Sequence, residues 1–289
     1  MNTCLLAHMN KNQNWVSILF VCCLSAAMGF PSWAGTDKRA NVQANELMIK
    51  LISDSTTPSE FKLFGVTRAK SVSVQSLSAV VDQGADVNLV DPQGDTPLSQ
   101  FALCGNYPCV RYLILHGAQV NKREHSATPL IAAAVGGNVD CVKLLLANGA
   151  KISDVDATGA NAFSAALRYA NIQCIKYFIS KGFSVSKPCP NGFMPLVYAT
   201  ASENLQCIRY VLSFGADVNA KGTGPSALGA AVLSGDNPSI VKFLIDNGAD
   251  VHGPAWPGAE GYPPISMLEA ARQSGNSKII SLLKKHGAK

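Results

Sequence analysis

The chain has 289 residues, 24 Lys and Arg against 19 Asp and Glu, and a formal charge of +5 with 15% charged residues overall. That charge is mild: a nucleic-acid-binding chain calls for clustered basic residues with interleaved aromatics, and this composition excludes that class. Length alone suggests about two domains, but an internal period described below makes domain counting inapplicable.

The N-terminus comes first. Lys11 lies ahead of an apolar run over 16–30, and Ser32-Trp33-Ala34 sets small residues at the two positions that signal peptidase reads. This predicts a signal peptide over 1–34, cleavage after Ala34, and a periplasmic or secreted protein. The run is shorter than the roughly 20 residues of a bilayer-spanning helix. A lipoprotein reading through Cys22 or Cys23 is weaker, because Val21 or Cys22 would stand where a small residue is wanted. Removing the segment deletes one charge, Lys11, and leaves a formal +4. Met9 and Met48 are alternative starts, and the second would yield a cytosolic form. Residues 35–75 read as an N-terminal cap with an amphipathic segment carrying Leu47, Ile49, Leu51 and Ile52, followed by an imperfect half-unit over 76–88.

Beyond it the chain is periodic over 76–289. Gly84, Gly117, Gly149, Gly182, Gly215, Gly248 and Gly287 end helical runs at steps of 33, 32, 33, 33, 33 and 39 residues, and a period of this size means stacked units. Each unit opens on an entry tripeptide: Thr96-Pro97-Leu98, Thr128-Pro129-Leu130, Asn161-Ala162-Phe163, Met194-Pro195-Leu196, Ser226-Ala227-Leu228 and Ser266-Met267-Leu268. Thr or Ser caps a first helix, and Pro suits its first position, where the missing N–H has no partner to lose. Alanines such as Ala132 to Ala134 keep that helix thin. The second helix carries bulk at helical spacing, as in Val142, Leu145 and Leu146, and a glycine then takes the left-handed position after it.

The pattern T-P-L-x-x-A-A, helix, short loop, V-x-x-L-L, G-A-D-V-N resembles the ankyrin repeat. The resemblance implies an all-α solenoid of helix-turn-helix units with β-hairpin-like fingers, a half-unit plus about six repeats, the last a C-terminal cap in which Lys278, Ser281, Lys284 and Lys285 make the outside polar. Three departures stand out: Asn161-Ala162-Phe163 lacks the cap-plus-proline entry, Phe183 replaces the Ala after Gly182, and the finger over 253–264 is about six residues longer than the others.

Cysteine placement argues against a disulfide framework. Cys109, Cys141, Cys174 and Cys207 each stand eight residues before their unit's glycine, and equivalent positions in stacked helices are about 10 Å apart, beyond disulfide reach. They read as small core hydrophobes. Cys104 and Cys109 flank one short helix-helix connection, so a bridge between them is conceivable. Cys189, at the base of a finger, is either a lone thiol or a handle for a partner. Thiols in an oxidising compartment weigh against export. Arg111, Lys143, Lys176, Arg209 and Lys242 recur at one second-helix position and read as a solvated face.

No catalytic or metal motif is present: H-E-x-x-H, G-x-S-x-G and paired-cysteine zinc spacings are all missing. Ser226, in Gly224-Pro225-Ser226, falls at a helix cap. His116 and His286 precede terminal glycines. The expectation is therefore a binding protein without cofactor. The resemblance implies that finger tips and exposed first-helix positions meet the partner. Carried over residue by residue, they are Asp95, Glu124, His125, Thr158, Arg168, Tyr169, Asn191, Phe193, Thr223, Trp256, Tyr262 and Arg272. Trp, Tyr and Arg are frequent interface anchors, and the long finger bearing Trp256 is the strongest candidate. The layout resembles exported bacterial ankyrin proteins, among which one role is immunity: a small stack neutralises a toxic effector, including lipase effectors of type VI secretion. A periplasmic scaffold on an envelope complex or stress enzyme is the alternative, and a small-molecule or glycan receptor would need a deep pocket.

Overall fold

The computed structural model describes residues 45–49, 70–91, 94–122, 127–259 and 263–288. The leader and its alternatives, and the readings on Leu51, Ile52, Glu124, His125 and Tyr262, lie outside the described residues. The chain divides into two units, Pro31–Ser184 and Val185–Lys289. In the first, a short helix over 45–49 and α1 (Val74–Asp82) precede three helix pairs: α2 (Pro97–Cys104) with α3 (Tyr107–Leu115), α4 (Pro129–Gly136) with α5 (Val139–Ala147), and α6 (Ala162–Arg168) with α7 (Ile172–Ser180). The second holds α8 (Pro195–Ala201) with α9 (Leu205–Ser213), α10 (Ala227–Ser234) with α11 (Pro238–Asp246), and α12 (Met267–Ser274) with α13 (Ser277–Lys285). It also carries an antiparallel ribbon of β1 (Pro254–Trp256) and β2 (Ile265–Ser266).

The first helices start where side chains cap them. Thr96, Thr128, Ser226 and Ser266 each accept a backbone N–H from three residues on. The entry that lacks the cap-plus-proline pair is still capped: the Asn161 side chain accepts from the Ser164 N–H at 3.0 Å. Asparagine offers the same acceptor as serine at this position. The uncapped entry is instead Met194, whose side chain cannot accept and is buried. The half-unit also begins earlier than 76, since Ser73 caps α1 by accepting from the Ser76 N–H at 3.1 Å.

Second helices are capped by a row of asparagines. Asn106, Asn138 and Asn204 accept from the N–H groups of Cys109, Cys141 and Cys207, and Asn237 and Asn276 from those of Ile240 and Ile279. The amides of this row reach back one repeat: Asn138 donates to the Gly105 carbonyl at 3.3 Å, Asn171 to those of Ala134 and Val135 at 2.7 and 2.8 Å, and Asn276 to that of Gly235 at 2.8 Å. A second row reaches forward from the fingers. Asn88, Asn121 and Asn219 donate to the carbonyls of Gly117, Gly149 and Gly248 at 2.8–3.0 Å and accept from the N–H two residues later. Both rows satisfy the carbonyls that a helix end leaves without partners, so each repeat completes its neighbour's hydrogen bonding as well as its apolar contacts.

Cys109, Cys141, Cys174 and Cys207 are fully buried, as expected of small core hydrophobes. Burial holds their thiols up at about 11, 12, 11 and 11, so almost no reactive thiolate forms near neutrality. Cys104 is likewise a buried thiol, pushed up to about 11, and it is not bridged to Cys109. The departures of the third repeat compensate one another. Phe183 and Phe163 pack with ring centroids 5.2 Å apart, and both meet Phe178, at 5.6 and 6.2 Å, so the ring at 183 fills space that an alanine leaves to its neighbours in other repeats. At the N-terminal end the buried side chain is Met48, while Leu47 is 41% exposed. The Asn45 side chain accepts from the Asp86 N–H at 2.9 Å, which docks this helix on the half-unit. At the other end Lys278, Ser281, Lys284 and Lys285 are exposed.

Candidate protein-binding surface

The fingers turn on a recurrent local bond. In the first full repeat the Asp91 N–H donates to the Asp95 carbonyl and the Asp91 carboxylate accepts from the Asp95 N–H, both at 2.9 Å. Asp95 is half-buried and its carboxylate accepts from the Gln100 amide at 2.7 Å, which ties the tip to α2. In the third repeat Asp156 takes the same place: its carboxylate accepts from the N–H groups of Thr158 and Ala160 and from the Thr158 hydroxyl. Val155 and Asn161 form an isolated bridge at the base.

The fourth repeat puts Cys189 where the aspartates stand. The backbone turn survives, with the Cys189 N–H donating to the Phe193 carbonyl at 2.8 Å. The thiol is buried and burial pushes it up to about 12, so Cys189 is a packed turn residue and no handle for a partner. Three predicted contact residues meet here. The Asn191 amide donates to the Tyr198 hydroxyl at 2.6 Å, the rings of Phe193 and Tyr198 are 6.1 Å apart, and Thr223 donates its N–H to the Gly192 carbonyl and its hydroxyl to the Asn191 carbonyl. A Cβ at Gly224 would overlap the Phe193 ring. Asn191 and Phe193 thus hold a finger onto α8, while Thr223 is exposed.

The long sixth finger does not stand free. Its strand β1 runs back over α10, where Ala255 is fully buried and a Cβ at Gly229 would overlap the Ala255 carbonyl oxygen. Residues Ala227 to Leu233 of α10 are all buried. Trp256 pairs with Ile265 across the ribbon and is half-buried.

First helices are similarly sealed in the other unit, where α6 buries Ala162 to Leu167. What stays accessible lies at their C-terminal ends: Tyr169 is 39% exposed after α6, next to half-buried Arg168, and Arg272 is exposed in the last turn of α12. The structure therefore places Arg168 with Tyr169, and Asn191 with Phe193 and Thr223, but each of these clusters stands within its own unit. Sequence reasoning overlooked Gln100 and Tyr198, which anchor the tips. Their signal was present, as polar side chains on the fourth residue of first helices that otherwise carry alanine there.

Among the described residues no group of three or more His, Cys, Asp or Glu could hold a metal, and no helix is long and apolar enough to cross a membrane. An open depression of about 500 Å³ lies between Asp236 and Pro238 on one side and Ser274 and Asn276 on the other. It is lined by helix-connecting loops rather than by apolar walls.

A family model described as ankyrin repeats matches residues 68–156 and 153–222, just over half of the chain. Among solved structures, the human ASB11 ankyrin repeat domain is similar at 27% identity and a TM-score of 0.58, over 77% of this chain and 97% of that one. No curated protein matches the sequence. The pairs from α10 to α13 lie beyond the family match, yet they repeat the same caps, left-handed glycines and asparagines. The chain belongs to the ankyrin-repeat family, whose fold is generally a non-catalytic scaffold, and is a protein–protein interaction module.

Proposed function

We propose that this module is exported to a bacterial envelope and neutralises a toxic effector protein by covering its active site. The observations that carry partner binding are half-buried Arg168 with exposed Tyr169 at the end of the otherwise buried α6 in one unit, and exposed Arg272 in the last turn of α12 in the other, all anchor-type residues. Export rests on the apolar run over 16–30 and the small residues before position 35. Burial answers the objection that the thiols raise: with thiolate suppressed, cysteines can persist unbridged in an oxidising compartment. The effector rests on the resemblance in layout to exported bacterial ankyrin proteins.

The test is capture of partners from envelope extracts with the tagged protein, followed by mass spectrometry and by co-expression of the protein with any captured hydrolase. Relief of toxicity, lost in an Arg168→Ala, Tyr169→Ala double variant that melts normally, is the expected result. Stable capture of a non-toxic envelope complex would establish a scaffold instead. Trp256→Ala with unchanged affinity would remove the long finger from the contact surface.

A further inference from the structure

The second helices, on the side away from the fingers, carry an ordered row of cations. In the unit formed by α3, α5 and α7, Arg111, Lys143 and Lys176 occupy one position of three successive helices, and Lys181 follows at the end of α7; all four are exposed. The only carboxylate on these three helices is Asp140, which pairs with Lys143 at 3.3 Å in an exposed contact. Such a surface pair is weak and readily exchanged. Asp82 of α1 lies at the edge of the row, near Tyr112.

One aromatic ring holds two of these cations in place. Tyr177 has the Lys143 ammonium 5.9 Å and the Lys181 ammonium 5.4 Å from its ring centroid, and Tyr112 stacks on His116 at 3.8 Å. Rings beneath cations attract them through their negative faces, so the Lys143 and Lys181 charges are set out in advance rather than swinging freely. A face needed only for solubility gains nothing from such positioning, and would be expected to mix both signs.

We infer that this face is a second docking surface, for an acidic segment of a partner protein in the polyproline II conformation with a carboxylate at every third residue. Neighbouring helices pack about 10 Å apart, and a polyproline II chain has three residues per turn and rises about 3.1 Å per residue, so every third side chain faces the same way about one rung further on. Charge complementarity selects the partner's sign, and the even stacking of α3, α5 and α7 selects its spacing. Its test uses Lys143 and Lys176 and leaves Arg168 and Tyr169 unchanged, so its failure is separable from failure of the effector reading.

Fluorescence anisotropy of the full chain with a labelled peptide bearing glutamate at every third residue, otherwise Ser and Gly, tests this. A peptide of identical composition with its glutamates clustered at one end is the control. The regular peptide binds more tightly than the clustered one, its affinity falls with salt, and Lys143→Glu with Lys176→Glu lowers it about tenfold. Lys143→Gln with Lys176→Gln gives a smaller loss and serves should the reversal fail to fold, as judged by thermal melting. Equal binding of both peptides, no binding of either, or unchanged affinity in folded variants overturns the inference. So does tighter binding to phosphatidylserine vesicles that is lost in Leu115→Ser, since Leu115 is 72% exposed beside the row and would then be a membrane contact.

Discussion

Gly136 and Gly229 solve the same problem in different units with different partners. At the end of α4, a Cβ on Gly136 would overlap the Leu103 carbonyl oxygen, so its absence lets the backbones of α2 and α4 touch. On α10, the missing Cβ of Gly229 admits the Ala255 carbonyl of β1. One glycine closes helix on helix; the other closes an extended finger on a helix. The second closure is the easier one to open without dismantling a repeat, because β1 is only three residues long and rests on a two-residue partner strand, α10 and α12.

That contrast sets the expected order of mutational effects. Gly136→Ala gains about 1 kcal/mol of helix propensity but forces two rigid backbones apart, and a net loss of about 3 kcal/mol is expected by denaturant melting. If the variant is as stable as the parent, the helices are not in the contact described. Gly229→Ala meets a strand that can lift, so its cost should be smaller, about 1 kcal/mol, with a red shift of Trp256 emission as the ribbon leaves α10. A loss equal to that of Gly136→Ala, with no change in emission, would make the finger as integral as a helix.

A smaller pair sharpens the comparison. The helix-connecting residue that is glycine at 105, 137, 235 and 275 is Ala170 in one unit and Glu203 in the other, both left-handed, at φ 52° and 55°. Glycine at either place should stabilise by about 0.5–1 kcal/mol, the strain relieved less the entropy added to the unfolded chain. Glu203→Gly carries a further gain. Desolvation, then the neighbouring Asp236 carboxylate, raises the folded Glu203 carboxyl above its ordinary value. The unfolded carboxyl therefore ionises first, and stability falls as pH rises from the ordinary glutamate range through the raised folded value. The excess of Glu203→Gly over Ala170→Gly should appear at neutral pH and vanish below the carboxylate range. An excess independent of pH would assign it to backbone strain alone.

Most of the architecture was legible because it is written at fixed spacing: the entries at Thr96 and Thr128, the cysteine column and the terminal glycines each follow from one repeat laid on the next. The asparagines at 106, 138, 171, 204, 237 and 276 were equally periodic but carry no apolar signal, so the caps that all but Asn171 make, and the bonds that reach back to the preceding repeat, escaped notice. What could not be read depends on contacts that no period encodes. Met48 rather than Leu47 faces the half-unit because of where the short helix docks. Asn191 and Phe193 look like free finger-tip residues until Tyr198 and the space above Gly224 are known. The path of the sixth finger turns on a single glycine in another helix.

The asparagine rows bear on how such an array changes length. Because Asn138 serves its own helix and the Gly105 carbonyl of the preceding repeat, and Asn121 serves Gly149 ahead of it, neighbouring repeats are tied by the same kinds of bond at nearly equivalent positions. Inserting or deleting one whole period leaves each donor facing an equivalent acceptor, whereas a change of a few residues would strand them. A gene carrying this pattern can gain or shed modules by unequal recombination at small cost to folding, and the grip it offers can widen or narrow within a lineage faster than individual side chains are replaced.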